Sequence, residues 1–490
     1  MFLKIIFFSV LIIERKIKMD IETFAEYYMN PVSMDEEQAP LPQIYKDISV
    51  LKITPEENIQ AGRKTYTFIN KNLDIITMPH EAYIYVVTTN TFGSEADAEK
   101  RSTISIPSTT GLIDGFDFMI NDTTICTQNN SLPSTLYAVN NGLYAAETRQ
   151  LDHIGLSDPK KSPINIQKQK YKSGGCEWIV PLKFFIPFLK DNKVLWGVKQ
   201  TLKITTADIA NILFKTDTGA NAASTEKFEI NSLELRMPYV KLENQKNVAL
   251  WERLYNKPVN RYWLDVDQFW SSPIANNVGQ SNSTFRVATK GLNSKPRWLL
   301  LHAVNDNGTN VEKHKPMGFG IDKAAEYNDA FNTIRFKKLR VKINGIYIDN
   351  GDVMEFFSAD AGGGDSVVGT TTSGKTASNP ETSSPWVHYR EYARSYDDYC
   401  KFFGQYYSKR ASVKSFTQWL SEQLFVFDLN NIDNEQIFQN SGNALIIEIE
   451  YSTYKGTSDA TKTFKLVANV LYDKQMLINH SENKAVITLT

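Results

Sequence analysis

The sequence predicts an all-β protein built from two tandem sandwiches or barrels. Three observations carry this expectation. Short runs of alternating aromatic and β-branched residues recur along most of the chain, polar loops separate them, and only one stretch has a clear helical period. The chain has 490 residues. Roughly 430 of them read as strands and loops, which divides into two units of about 200 residues, near the upper size of all-β domains. No short-period repeat of the solenoid or propeller kind is present.

The elements follow in order. Residues 1–18 contain the apolar run Ile5 to Ile13, bounded by Lys4 and by Glu14, Arg15 and Lys16. The run is too short to span a bilayer, and no small-residue cleavage site follows it. We expect a gene-model extension with Met19 as the true start; a secretory signal is the alternative. Residues 19–60 carry Pro31, Pro40, Pro42 and Pro55 among acidic residues, and this is the text of an extended N-terminal arm.

The first unit is expected over 61–245. In TYTFIN, Tyr66 and Phe68 share a face, and in AYIYVV the faces are Tyr83/Tyr85 and Ile84/Val86. Further strands are expected at 116–120, 202–205 and 233–242. The run EWIVPLKFFIPFL at 177–189 holds Pro181 and Pro187, which forbid a regular helix. It reads as a buried strand turning into a short corner.

The second unit is expected over 246–490. RWLLLHAV at 297–304 is a continuous apolar run, as in a strand buried on both faces. Leu339, Val341 and Ile343 alternate with Lys338, Arg340 and Lys342, and Asn350-Gly351 reads as a tight hairpin turn between IYI and VMEFF. Residues 360–385 are rich in Gly, Ser and Thr and read as a flexible loop. Tyr389, Tyr392, Tyr396, Tyr399, Phe403 and Tyr407 recur at spacings of three and four. That is a helix with an aromatic stripe, read as core packing. ALIIEIEYSTY at 444–454 and TFKLVANVLY at 463–472 complete the strands.

Charge and chemistry narrow the function. The formal net charge is −1, so bulk attraction to nucleic acid is excluded and any contact is local. Cys126, Cys176 and Cys400 are too few and too scattered for a disulfide framework and suit a reducing interior. Gly369, Gly374, Lys375 and Thr376 fit the letters of a phosphate-binding loop. That chemistry needs a buried strand before the loop and a helix opening at the Lys-Thr. Here GGGDSVV precedes and ASNPETSSP follows, so the match is read as spurious and no cofactor is assigned. Asp349, Asp352 and Glu355 are read as turn residues rather than calcium ligands. The six histidines, His80, His153, His302, His314, His388 and His480, have no metal-ligand spacing, and no metal site is assigned. The basic strand face of Lys338, Arg340 and Lys342 is either an ordinary solvated face or one turned to nucleic acid. Sequons stand at Asn121, Asn129, Asn282, Asn307 and Asn479.

The order of several segments resembles the double jelly-roll major capsid proteins of Polinton (Maverick) transposons, adintoviruses and Polinton-like viruses. The carriers are AYIYVV, VPLKFFIPFLKDNKVLWGVKQTLKI at 180–204, KPRWLLLHAVND at 295–306, FNTIRFKKLRVKINGIYI at 331–348, the Tyr-rich helix at 389–407 and FTQWLSEQLFVFDLN after it. The likeness covers most of 60–475 and departs at His302 and Ala303, where a Gln-rich strand end is expected. It implies two tandem eight-stranded jelly rolls with a few short helices in loops. It further implies a homotrimer that tiles an icosahedral virion shell around double-stranded DNA. The implied partners are further copies of the chain, a penton or minor capsid protein and non-specific contacts with packaged DNA. No membrane span, catalytic residue, cofactor or metal is implied, and assembly is expected inside the host cell. A second reading is a secreted all-β carbohydrate-binding protein or glycosidase. The apolar N-terminus and the sequons favour it; the scattered cysteines and the want of a carboxylate pair count against it.

Overall fold

The structure is a computed structural model. It describes residues 49–59, 64–91, 102–104, 112–128, 174–189, 194–206, 213–215, 227–241, 259–275, 283–289, 296–305, 336–348, 354–355, 357–358, 386–387, 389–403, 419, 424–429, 445–453, 463–481 and 484–489.

The first unit comprises β1 (Ser49–Ile53), β2 (Thr65–Asn70), β3 (Ile75–Thr77), β4 (Tyr83–Thr91), β5 (Ser102–Ile104), β6 (Ile113–Ile120), β7 (Thr123–Gln128), β8 (Gly174–Pro181), β9 (Gln200–Thr206), β10 (Leu213–Lys215) and β11 (Lys227–Lys241). Its main sheets run β1-β11-β4-β8 and β2-β9-β6-β7. With β3 and the separate β5–β10 pair set aside, eight strands remain. The first pairs with the last, the second with the seventh, the third with the sixth and the fourth with the fifth. That nested antiparallel pairing is the jelly-roll winding.

The second unit comprises β12 (Val259–Trp270), β13 (Ile274–Ala275), β14 (Ser283–Ala288), β15 (Pro296–Asn305), β16 (Phe336–Ile343), β17 (Ile346–Tyr347), β18 (Met354–Glu355), β19 (Phe357–Ser358), β20 (Trp386–Val387), α1 (Tyr389–Lys401), β21 (Phe425–Asp428), β22 (Ile446–Thr453), β23 (Thr463–Ser481) and β24 (Lys484–Leu489). Its main sheets run β12-β23-β15-β21 and β14-β22-β16-β17. The same nesting of eight strands recurs. The chain is therefore all-β, two jelly rolls in tandem.

Period-two patterning builds each core. In the first roll Tyr66, Phe68, Ile84, Val86, Phe116, Phe118, Leu202, Ile204, Leu233 and Leu235 are buried between the sheets, while Tyr83 and Tyr85 face outward. Each fully buried side chain of this size contributes about 1.5–3 kcal/mol relative to exposure. β1 lies at the end of the segment read as an arm, because Ile53 is buried and Leu51 packs on the same core. As expected, β8 runs to Pro181 and gives way to two 3-10 turns, Leu182–Phe184 and Pro187–Leu189.

The fourth and fifth strands of both rolls join through the same device. Asn121 and Asp122 have φ of 47° and 65°, and Asn344 and Gly345 have φ of 48° and 84°. Two successive positive φ values make the tight hairpin turn whose twist matches the strands. The Asn121 N–H donates to the Lys199 carbonyl at 2.9 Å, and its Oδ1 accepts from the Lys199 N–H at 2.8 Å. Asn344 does the same with Ile446, both at 2.9 Å. A tight turn of the kind expected at Asn350-Gly351 stands at Asn344-Gly345. β17 and β18 both pair with β16, Tyr347 opposite Lys342 and Glu355 opposite Lys338. Asn350 and Gly351 themselves lie outside the described residues.

The aromatic stripe of α1 is core packing. Tyr399, Phe402 and Phe403 are buried, Phe402 lies 5.0 Å from Trp298 of β15, and Tyr396 lies 5.6 Å from Trp419. The Trp419 indole N–H donates to the Leu424 carbonyl at 2.9 Å. α1 thereby covers the outer face of β12-β23-β15-β21. There Trp298, Leu300, His302, Val304, Val467, Asn469 and Leu471 are all buried, which is why β15 reads as apolar on both faces. The side chains of Tyr389 and Tyr392, and all of Tyr407, lie outside what the structure describes.

Candidate functional site

The structure joins its two rolls through a built seam. β12 and β23 run on beyond the second roll's core, and β24 pairs with β23 there from Met476 to Ser481. Along one face of β23, Phe464, Leu466, Ala468, Val470 and Tyr472 belong to the second core, and Met476 and Ile478 belong to the first. Alternate residues of a strand share a face, so one strand of 19 residues, about 60 Å long, serves both cores. On β12, Trp263 also joins the first core and meets Phe188 edge-on, with ring centroids 5.1 Å apart and planes at 90°.

Polar groups cross this apolar seam at fixed points. Arg261 is 2% exposed, and its Nη2 donates to the Val194 carbonyl of the first roll at 3.0 Å. Lys474 forms an ion pair with Asp265 on the neighbouring strand. Burial raises the Asp265 carboxyl above its ordinary value, and Lys474 draws it partly back. For Lys474 burial works against the charge, but attraction to Asp265 outweighs it and the ammonium is held above its usual range. Cys126 of β7 closes the cluster from the first roll. Its thiol is pushed well up, first by burial and then by the Asp265 charge, so it is an unreactive protonated thiol. Sliding the rolls would take the Arg261 guanidinium off the Val194 carbonyl, and a hydrogen bond from a charged group contributes about 1.5–3 kcal/mol.

The outer face of the second roll's other sheet carries the basic residues singled out in the sequence. Arg340 stacks 3.7 Å over the Tyr347 ring, and Lys342 pairs with Glu450. Glu448 pairs with Arg286 of β14 at 2.8 Å. Lys338 is exposed, with Glu355 opposite in register. The face is a ladder of alternating sign and not a uniform basic patch. The acidic half was missed because it lies on β22, about 100 residues away, and only register brings it alongside.

The remaining candidates do not converge. Gly369, Gly374, Lys375 and Thr376 lie outside the described residues, as do Asp349 and Asp352; the Glu355 side chain is not described. His80 and His302 are buried and far apart in the chain, and burial holds His302 down to about 3. His153, His314 and His388 lie outside the described residues, and of the His480 side chain nothing is described. Among the described residues no group of three His, Cys, Asp or Glu could hold a metal ion, and no helix is long and apolar enough to cross a membrane. The sequon asparagine Asn121 has a structural task, the turn described above.

By sequence the chain matches no family model and no curated protein. By structure it is similar to the mavirus major capsid protein, with TM-score 0.53 and 8% identity over 90% of each chain. It is similar to a chain of the Sputnik virophage, with TM-score 0.53 and 10% identity over 94% of this chain and 91% of that one. For the PBCV-1 virus capsid the figures are 0.52 and 11%, over 92% and 99%. What the chain shares with these viral structures is its fold, the double jelly roll.

Proposed function

We propose that the chain is a major capsid protein, a structural protein of the virion and not an enzyme. Three copies form a pseudo-hexameric block of six rolls, and blocks tile an icosahedral shell around a double-stranded DNA genome. The observation that carries this is the pair of identically wound rolls held side by side by a buried seam. Nearly full-length likeness to virus capsid chains supports it, and the segment order quoted above favours the Polinton and adintovirus group. Each roll buries its own core, so the loops and outer faces are left for contacts between copies. A formal net charge of −1 lets copies pack without strong mutual repulsion. Contact with packaged DNA is local and non-specific, because on the strand face of Lys338, Arg340 and Lys342 the cations alternate with Glu448 and Glu450 of β22. A penton or minor capsid protein fills the fivefold positions.

Negative-stain microscopy of the concentrated protein tests this reading. Hexagonal blocks with threefold symmetry, or shells, are expected. Featureless single particles at every concentration and ionic strength would refute it.

A further inference from the structure

We propose that the second roll folds by itself and the first roll closes only against it, so that the half of the chain made first is finished last.

The two cores are not equivalent. Among the described residues, the second core draws on no residue of the first roll, whereas the first core includes Trp263, Met476 and Ile478 of the second unit. All three are buried, Met476 completely. Trp263 meets Phe188, and Phe188 lies 5.8 Å from Phe118 of β6, so the indole is linked by ring contacts to the middle of the first sandwich. A close-packed core that lacks three such side chains is left with a void it cannot fill.

The backbone that carries these side chains belongs wholly to the second unit. Met476 stands opposite Arg261 of β12 on one side and Leu489 of β24 on the other; Ile478 stands opposite Val259 and Ile487. β23 is held in turn by β15, from Pro296 to Asn305. The extension of β12, β23 and β24 therefore forms with the second roll's sheet and uses no strand of the first roll. The dependence runs one way. Domains generally fold in the order in which they are made. This chain reverses that order, because Met476 follows the end of β11 at Lys241 by well over two hundred residues. Under the capsid reading above, only a chain with a finished second roll offers a finished first roll to further copies. The folding order itself belongs to the single chain and stands or falls without that reading.

Hydrogen exchange of the full chain, resolved peptide by peptide, tests the order. Leu202→Asp puts a charge into the first core; it should speed exchange at least about tenfold in β2, β6 and β9 and leave β15, β16 and β22 protected. Leu339→Asp does the same to the second core and should strip protection from both rolls. Met476→Asp should act like Leu202→Asp, although it lies in β23. Wild-type protein in rising urea gives the order without any variant: first-roll peptides should open no later than those of the second roll. A first roll that stays protected in Leu339→Asp, or that outlasts the second roll in urea, overturns the proposal, as does full protection in Met476→Asp. Loss of both rolls in Leu202→Asp overturns it too, since the two would then form one cooperative unit.

Discussion

The two rolls share a winding and a turn, yet they treat the same sheet differently. In the second roll the outer face of β12-β23-β15-β21 lies under α1, and there Trp298, Leu300, His302, Val304, Val467, Asn469 and Leu471 are buried. In the first roll the matching face of β1-β11-β4-β8 has Tyr83, Tyr85 and Val87 half-buried and Ile179 43% exposed. There Arg236 stacks 3.8 Å over Tyr85 and pairs with Glu234 at 3.2 Å. Winding is thus conserved between the halves by nested strand pairing alone, whereas each outer face is free to become core or surface. That freedom is what a duplicated roll needs in order to make unlike contacts on its different sides.

The sharpest break of the comparison is to truncate one residue on each face. Trp298→Ala should cost about 3–5 kcal/mol, because it opens a cavity under Phe402. Tyr85→Ala should cost about 1 kcal/mol or less, as expected of a half-exposed side chain. Urea unfolding curves compare them, and equal losses would mean that the two faces are equally buried.

The seam comes next. Lys474→Met should destabilise by about 3 kcal/mol by leaving Asp265 without its cation, and the Asp265→Asn, Lys474→Met pair should recover most of that. Cys126 reports the same event: it should resist maleimide in the native wild type and label in Lys474→Met. Immediate labelling of the native wild type would show that the seam is open.

A smaller effect separates the rolls by pH. His302 is buried in the second roll and is held neutral down to about pH 3, against an ordinary value of 6.5. Between those values the unfolded chain takes up a proton that the native chain refuses. Stability should therefore fall with acid below pH 6.5, by up to about 1.4 kcal/mol per pH unit from this group. His302→Gln should flatten that part of the profile, and an unchanged slope would place the acid sensitivity elsewhere.

The smallest effect concerns what the rolls share. Asn121→Ala and Asn344→Ala each remove a side-chain acceptor and place alanine at positive φ, so each should lower stability by about 1–2 kcal/mol. Thermal melts of the two variants should shift alike. A much larger loss in one would mean that the turns are not equivalent.

Much of this was legible in the residues. Alternation in TYTFIN and AYIYVV gave the inward faces, and the apolar run at 297–304 gave a strand covered on both sides, because period and composition are local. The aromatic stripe gave the helix for the same reason. The turn at Asn344-Gly345 was not singled out, because a second Asn-Gly pair follows six residues later and only the pairing of β17 with β16 marks the reversal. The seam was invisible: Arg261, Asp265 and Lys474 look like ordinary strand charges until register brings β12 and β23 together and carries them onto the first roll. The neutralised basic face was hidden likewise, since Glu448 and Glu450 stand beside Arg340 and Lys342 only in the folded sheet.

The most direct test of the account is the mass of the purified chain in solution, measured by light scattering across a dilution series. The account predicts a stable species of three chains. A monomer that persists to high concentration would contradict it.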